Sequence, residues 1–324
     1  MSLRSEMETT IGALLDGTLA GDDAIAYLTQ LDLSRINAHQ LAGAVDAVMA
    51  RAKPFPHYPD AIDCCGTGGD GKSSFNISTA AAFVVAGRGV PVVKHGNRAV
   101  TSACGSADVL EALGVQTNIS PEHSARIMAS LGICFLYAPT FHTGFARLAP
   151  IRKAIGKRTI FNVLGPLCNP ARVKRQLIGV FAAEYCGLMA ETAKLLGHSH
   201  VMAVHGDDGS DELSMTGTTH VAHLLDGEVS YATVRPQDAE LRPQPPQALV
   251  GGNAMHNATA LRAVLSGVAS PYADAVLLNA AAMLMLAEKV PTLHDGVALA
   301  RSSIARGEAL RKLDALIEAS SDHA

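Results

Sequence analysis

Residues 61–114, AIDCCGTGGDGKSSFNISTAAAFVVAGRGVPVVKHGNRAVTSACGSADVLEALG, decide how this chain is read. Ala61-Ile62-Asp63-Cys64-Cys65 is a short buried strand, and Gly66-Thr67-Gly68-Gly69-Asp70-Gly71 follows it with four glycines in six positions. Glycine admits positive φ, so successive backbone N–H groups can converge on one anion. The apolar run 78–86 is the first convincing helix, with Asn76, Ser78 and Thr79 placed to cap it. A second strand, 90–93, ends in Lys94-His95-Gly96-Asn97-Arg98, and Ser106 opens a third helix at 107–113 with a hydroxyl at its N-terminus. Three strand-to-helix turns rich in anion-binding groups predict a parallel α/β layer whose ligand lies beyond the carboxyl ends of the strands.

Two phosphate-loop patterns match the glycine run literally. Gly66, Gly68 and Gly71 satisfy G-x-G-x-x-G, but a dinucleotide site needs a second strand ending in an acid, and this one ends in Lys94-His95. Gly66, Gly71, Lys72 and Ser73 satisfy G-x-x-x-x-G-K-[ST], but that loop's helix should begin at the Lys-Ser pair, and here five residues intervene. Asp207, following the apolar run 201–204, keeps a triphosphatase open by supplying a Walker B-like acid. Asp70 would repel a bare phosphate unless a metal or a ribose hydroxyl intervened. An ordinary tight turn is the bland alternative.

Outward from this segment, the 324 residues carry 48% hydrophobic and 17% charged side chains and a formal net charge of −4. That composition predicts a globular chain with a substantial core and no basic field for nucleic acid. No apolar run reaches membrane-spanning length, and the opening MSLRSEMETT lacks the build of a signal peptide, so a cytoplasmic location is expected. The six cysteines show no C-x-x-C pairing and read as small buried hydrophobes; the 13 histidines show no zinc spacing.

Before the glycine loop, residues 8–15, 22–31 and 37–51 have helical periodicity, and three prolines within 53–59 mark a hinge. The expected organisation is a small helical domain over 1–59 and a large α/β domain over 60–324, with part of 103–155 packing on the small one. The large domain is expected to hold a mostly parallel central sheet flanked by helices. Further strands are predicted at 133–137, 159–163, 176–181, 200–205 and 230–234. Further helices are predicted at 121–130, 183–196, 253–265 and 272–287, with one last helix from 293 to 317. Past the fourth of these strands, Asp207, Asp208, Asp211 and Glu212 place four acids in six positions. Such a cluster is either a solvated loop or, opposite a phosphate cradle, a magnesium site, because magnesium takes oxygen ligands and bridges to substrate phosphates.

GTGGDG, FNIST, KHGNR and GSADVLEALG, in this order and spacing, resemble the anthranilate phosphoribosyltransferase family of tryptophan biosynthesis. The resemblance extends to Arg152-Lys153 with TIFNVLGPLCNP, to VHGDDGSDELSMTG and to SPYADAVLLNAAAML. It implies transfer of the phosphoribosyl group of 5-phosphoribosyl 1-diphosphate to the amine of anthranilate, with two magnesium ions and no assigned acid or base. Residues implied to hold the diphosphate sugar are Gly66, Gly69, Asp70, Ser74, Asn76, Ile77, Ser78, Thr79, Lys94, His95, Gly96, Asn97, Arg98, Ala99, Val100, Thr101, Ser102 and Ser106. Gly66, Asn97 and Arg152 would hold anthranilate, and Ser78, Asp211 and Glu212 the metal. His142-Thr143-Gly144-Phe145 stands where family members usually carry His-Pro-Ala-Met, altering the aromatic pocket in detail. The family's homodimer is implied as well, through N-terminal helices of which this chain is expected to lack about the first pair. Rival readings are a pyrimidine nucleoside phosphorylase, the triphosphatase and a non-enzymatic nucleic-acid binder.

Overall fold

The computed structural model describes residues 2–68, 74–99 and 103–322. Three helices open the chain: α1 (Leu3–Asp16), α2 (Gly21–Gln30) and α3 (Ala38–Met49). Ser2 caps α1 and Gly17, at φ 80°, ends it, while Asn37 and Gln40 form a reciprocal capping box on α3. Bidentate pairs Arg4–Asp46 and Arg51–Asp16, each 2.6 Å at the shorter contact, tie α1 to α3. Gly43 lets the two backbones touch, since a Cβ there would strike the Arg4 carbonyl.

The α/β part runs β1 (Ile62–Gly66), α4 (Ile77–Gly87), β2 (Val92–Gly96), α5 (Ser106–Ala112), α6 (Pro121–Leu131), β3 (Ile133–Tyr137), α7 (Ala138–Phe141), α8 (Phe145–Ile155), α9 (Phe161–Leu164), β4 (Arg175–Gly179), α10 (Glu184–Leu195) and β5 (His200–Gly206). An antiparallel pair, β6 (Thr219–Leu225) and β7 (Glu228–Val234), then precedes α11 (Ala254–Leu265), α12 (Pro271–Leu286), α13 (Leu293–Ala305) and α14 (Glu308–Ser321). The seven strands form one sheet in the order β3-β2-β1-β4-β5-β6-β7, the first five parallel.

Successive residues on the central strands face opposite layers. Leu177, Met202 and Val204 join the core under α4 and α12, whereas Ile178, Val180, Val201 and Ala203 join a second core with Ile11, Leu41 and Val45 of the N-terminal helices. Those helices therefore supply part of the sheet's second covering layer. Helix α12 is buried on all sides from Ala275 to Leu284, as a helix apolar around its whole circumference must be.

Three expectations need correction. The predicted strand 159–163 is instead a turn leading into α9, because Ile160, Phe161, Val163 and Leu164 have a helical spacing that buries all four on one core. Strand β6 was not anticipated, its alternation being broken by His220 and His223. The last helix is two, parted at Gly307 with φ 65°. Among the described residues no helix is long and apolar enough to cross a membrane.

Candidate functional site

Strand order reverses between β1 and β4, so the loops leaving their carboxyl ends diverge and open a crevice there. Gly66 and Gly179 face each other in register at those two ends. Both must lack a side chain: a Cβ on Gly66 would run into the Asp211 carboxylate, and one on Gly179 into the Asp211 backbone. The acidic loop after β5 thus lies directly over the switch point.

From that loop two carboxylates reach two different anion-binding backbones. Asp211 accepts the Gly68 N–H at 3.0 Å, at the entrance of the glycine loop. Glu212 accepts the Ser78 N–H at 3.2 Å, in the first turn of α4. Gly68 itself has φ 64°, a conformation that suits glycine. Burial raises Asp211 above the usual carboxylate range, and burial together with the neighbouring Asp211 charge pushes Glu212 up to about 8. A buried pair in which one acid's charge disfavours the ionisation of its neighbour suits a divalent cation, which would restore both charges. Among the described residues no group of three or more His, Cys, Asp or Glu side chains could hold a metal by itself. The two carboxylates, being oxygen donors, fit magnesium shared with substrate phosphates, the arrangement that ion usually adopts.

Lys94 is 4% exposed in the middle of β2; its Nζ donates to the Cys64 carbonyl and lies 3.4 Å from Ser78 Oγ. Beneath it, the fully buried Asp63 accepts from the His95 N–H at 3.1 Å and from Asn169 at 2.9 Å. Beyond His95 the chain turns out to exposed Asn97 and Arg98. Arg98 pairs with Glu111 at 2.8 Å and lies over the Tyr137 ring. The cap of α5 is Gly105, not a serine: Asp108 accepts the Gly105 and Ala99 N–H groups, and Ser106 Oγ donates to the Asn97 carbonyl. A Cβ on Gly105 would meet the Ala99 backbone, so this turn too is a close approach.

The segment between the glycine loop and α4 is held from the C-terminal half. Ser74 bridges Val250, the Phe75 N–H donates to Leu249, and Phe75 stacks on Tyr272 at 4.5 Å. Asn76 occupies the cap position of α4 but makes no capping bond with its side chain, which is engaged by Cys104 and Asn257.

Gly66, Ser78, Lys94, Asp211 and Glu212 are gathered around the crevice. Ser74 and Asn76 lie in the segment leading into α4, and Gly96, Asn97, Arg98, Ala99 and Ser106 form the turn between β2 and α5. The side chains of Ile77 and Thr79 are buried. Gly69, Asp70, Val100, Thr101 and Ser102 lie outside the described residues, as does Lys72. Arg152 sits on α8, half-buried, with no hydrogen-bond or ion-pair partner among the described residues, and burial lowers its pKa. A file of rings leads toward it: His95 meets His142 edge-on at 5.2 Å, His142 meets Phe145 at 6.1 Å, and Arg152 follows Phe145 by two helical turns. Burial drives His95 down to about 3 and His142 down to about 4, so both rings are neutral at pH 7. Sequence reasoning missed Gly179, His142 as partner of His95, and Asn257. Only the first carried a local signal, a glycine ending a strand.

The glycosyl transferase family, a/b domain, matches residues 58–310. An anthranilate phosphoribosyltransferase from Novosphingobium aromaticivorans is 47% identical, over 97% of this chain and 96% of that protein. The crystal structure of the enzyme of that name from Thermus thermophilus superposes with a TM-score of 0.93 at 40% identity, covering 98% of this chain and 96% of the other. The Saccharomyces cerevisiae enzyme in complex with PRPP (5-phosphoribosyl 1-diphosphate) and Mg superposes at 0.90, with 30% identity and 98% and 93% coverage.

Proposed function

This chain belongs to the anthranilate phosphoribosyltransferases within that glycosyl transferase family, and on that premise we propose how its residues carry the reaction. The enzyme transfers the 5-phosphoribosyl group from 5-phosphoribosyl 1-diphosphate to the amine of anthranilate. The bond from C1 to the diphosphate oxygen breaks, a C1–N bond forms, pyrophosphate leaves and the amine proton passes to solvent. Positive charge develops on the sugar and negative charge on the departing diphosphate, so catalysis is a matter of positioning and of electrostatic complementarity to the leaving group.

The observation that carries this reading is the convergence of Asp211 on Gly68 and of Glu212 on Ser78. One acidic loop touches both backbones that would cradle phosphate. Gly66, Gly69, Asp70, Ser74, Asn76 to Thr79, Lys94 to Ser102 and Ser106 hold the diphosphate sugar in this proposal. Asp211 and Glu212, with Ser78, hold magnesium, two ions per site, which when bound offsets the charge of the leaving diphosphate. Arg152, whose guanidinium has no partner among the described residues, takes the anthranilate carboxylate through two parallel hydrogen bonds, with Asn97 and Gly66 alongside. The neutral rings of His95 and His142 wall the aromatic pocket without adding a cation near C1. Neutral aryl amines are already nucleophilic, so no general base is assigned.

A homodimer and a cytoplasmic location complete the proposal; light scattering of the purified chain tests the first. The decisive experiment follows anthranilate fluorescence with the diphosphate sugar, with and without magnesium. Loss of fluorescence that requires both is expected. Phosphorolysis of thymidine without anthranilate consumption would overturn the proposal.

A further inference from the structure

Asn257 is fully buried in the first turn of α11, far along the chain from every residue assigned to the site. Its Oδ1 accepts the Gly252 N–H at 2.8 Å, and its Nδ2 donates to Asn76 Oδ1 at 2.9 Å. Asn76 Nδ2 in turn donates to the Cys104 carbonyl at 3.2 Å. The polarity of this relay is set at both ends by backbone groups that cannot turn over. An N–H at Gly252 can only donate, and a carbonyl at Cys104 can only accept. Between them each amide has one workable orientation.

From this we infer that Asn257 is a positioning residue: it holds the Asn76 amide so that N–H, and never C=O, faces the diphosphate. The inference rests on the placement of Asn76 in the diphosphate cradle. Asn76 Nδ2 carries two hydrogens, of which Cys104 takes one, leaving the other for an anion. Reversed, the same side chain would set its oxygen against both the Cys104 carbonyl and the phosphate. The relay also joins the segment before α4 to the turn before α5, two of the loops that share the ligand, so the relative placement of the two loops depends on it.

N257D keeps the acceptor for Gly252 and removes the donor to Asn76. Its KM for the diphosphate sugar is expected to rise about tenfold or more, as supporting hydrogen bonds around a ligand site commonly show on mutation. Pyrophosphate affinity by calorimetry should fall in parallel, while KM for anthranilate stays within about twofold. A purely structural role would lower the melting temperature and kcat without separating the two KM values, and that result overturns the inference. If N257D does not fold, N257A is read by the same ratio. N76A supplies the reference. Should N76A leave the KM for the sugar unchanged, the placement of Asn76 itself is wrong; should N76A weaken the sugar while N257D and N257A do not, only the inference about Asn257 falls.

Discussion

Arg152 shows how an incomplete interaction in the free protein points to a ligand. A half-buried guanidinium with no counter-charge among the described residues costs the fold stability and gains from the arrival of an anion. R152A should therefore leave the melting temperature unchanged or slightly raised, and raise the KM for anthranilate by about 10- to 100-fold, the worth of a charge-assisted pair. A fall in stability with unaltered anthranilate kinetics would show the guanidinium to be structural. Glu212 separates two roles in another way. E212Q retains an oxygen that can accept the Ser78 N–H, so the first turn of α4 keeps its cap, but the negative charge is lost. Magnesium titration of turnover should show at least about tenfold weaker dependence, with the melt unchanged without metal. A variant with normal magnesium dependence would remove Glu212 from the metal site.

Among the structural elements, the switch point depends on two glycines that permit contact rather than on flexibility. Gly179 ends β4 in an ordinary strand conformation, yet the Asp211 backbone occupies the space its side chain would need. G179A must therefore push the acidic loop off the crevice. It is expected to cost about 1–3 kcal/mol in stability, measured by denaturant melts, and to remove most magnesium-dependent turnover. Retention of full activity would mean the loop is less tightly placed than its contacts indicate. The ring file from His95 through His142 to Phe145 joins β2 to α8, which also packs on the N-terminal helices. Arg152 is thereby carried by the second layer while the glycine loop is carried by the sheet.

Across the whole molecule, buried histidines set how the fold responds to acid. His95 and His142 are about 5% and 6% exposed, and burial holds both folded-state pKa values far below the unfolded value of about 6.5. His200 and His223, 2.9 Å apart across β5 and β6, are lowered in the same direction by burial, and His200 also by its neighbour. In each case the unfolded chain binds the proton first, so stability is full above about pH 6.5 and declines as pH falls toward the folded values. At about pH 5 the loss is on the order of 2 kcal/mol for a histidine like His95. The buried Glu212 and Asp211, raised by burial, act in the opposite direction and favour the fold as pH falls. The histidine contribution is therefore read from the difference between thermal melts of the protein and of H142Q over about pH 7.5 to 5, with H142Q expected to lose less stability on acidification. An H142Q profile parallel to that of the unsubstituted protein would contradict the assignment of His142 as buried and neutral.

Much of the architecture was legible along the chain because it rests on short-range physics. Short apolar runs marked β1, β2, β3, β4 and β5, helical spacing marked α1 to α6 and α10 to α12, and glycine and hydroxyl clusters marked the turns read as anion-binding. The cluster of four acids over 207–212 stood out by charge density, and the family resemblance picked Asp211 and Glu212 from it. What failed locally was ambiguous locally: Thr159-Ile160-Phe161-Asn162-Val163 fits either a strand or a helical turn, and only the core that receives Ile160, Phe161, Val163 and Leu164 chooses between them. By itself the sequence determined the layer type, the phosphate chemistry of the turns and the family resemblance. Tertiary structure alone decided that β1 lies beside β4, that Gly179 must yield space to Asp211, that His142 meets His95, and that Asn257 orients Asn76 across 181 residues. Such pairings are made by chain closure between distant segments, and a hydrogen bond formed only after closure leaves no periodicity or spacing in the sequence that precedes it.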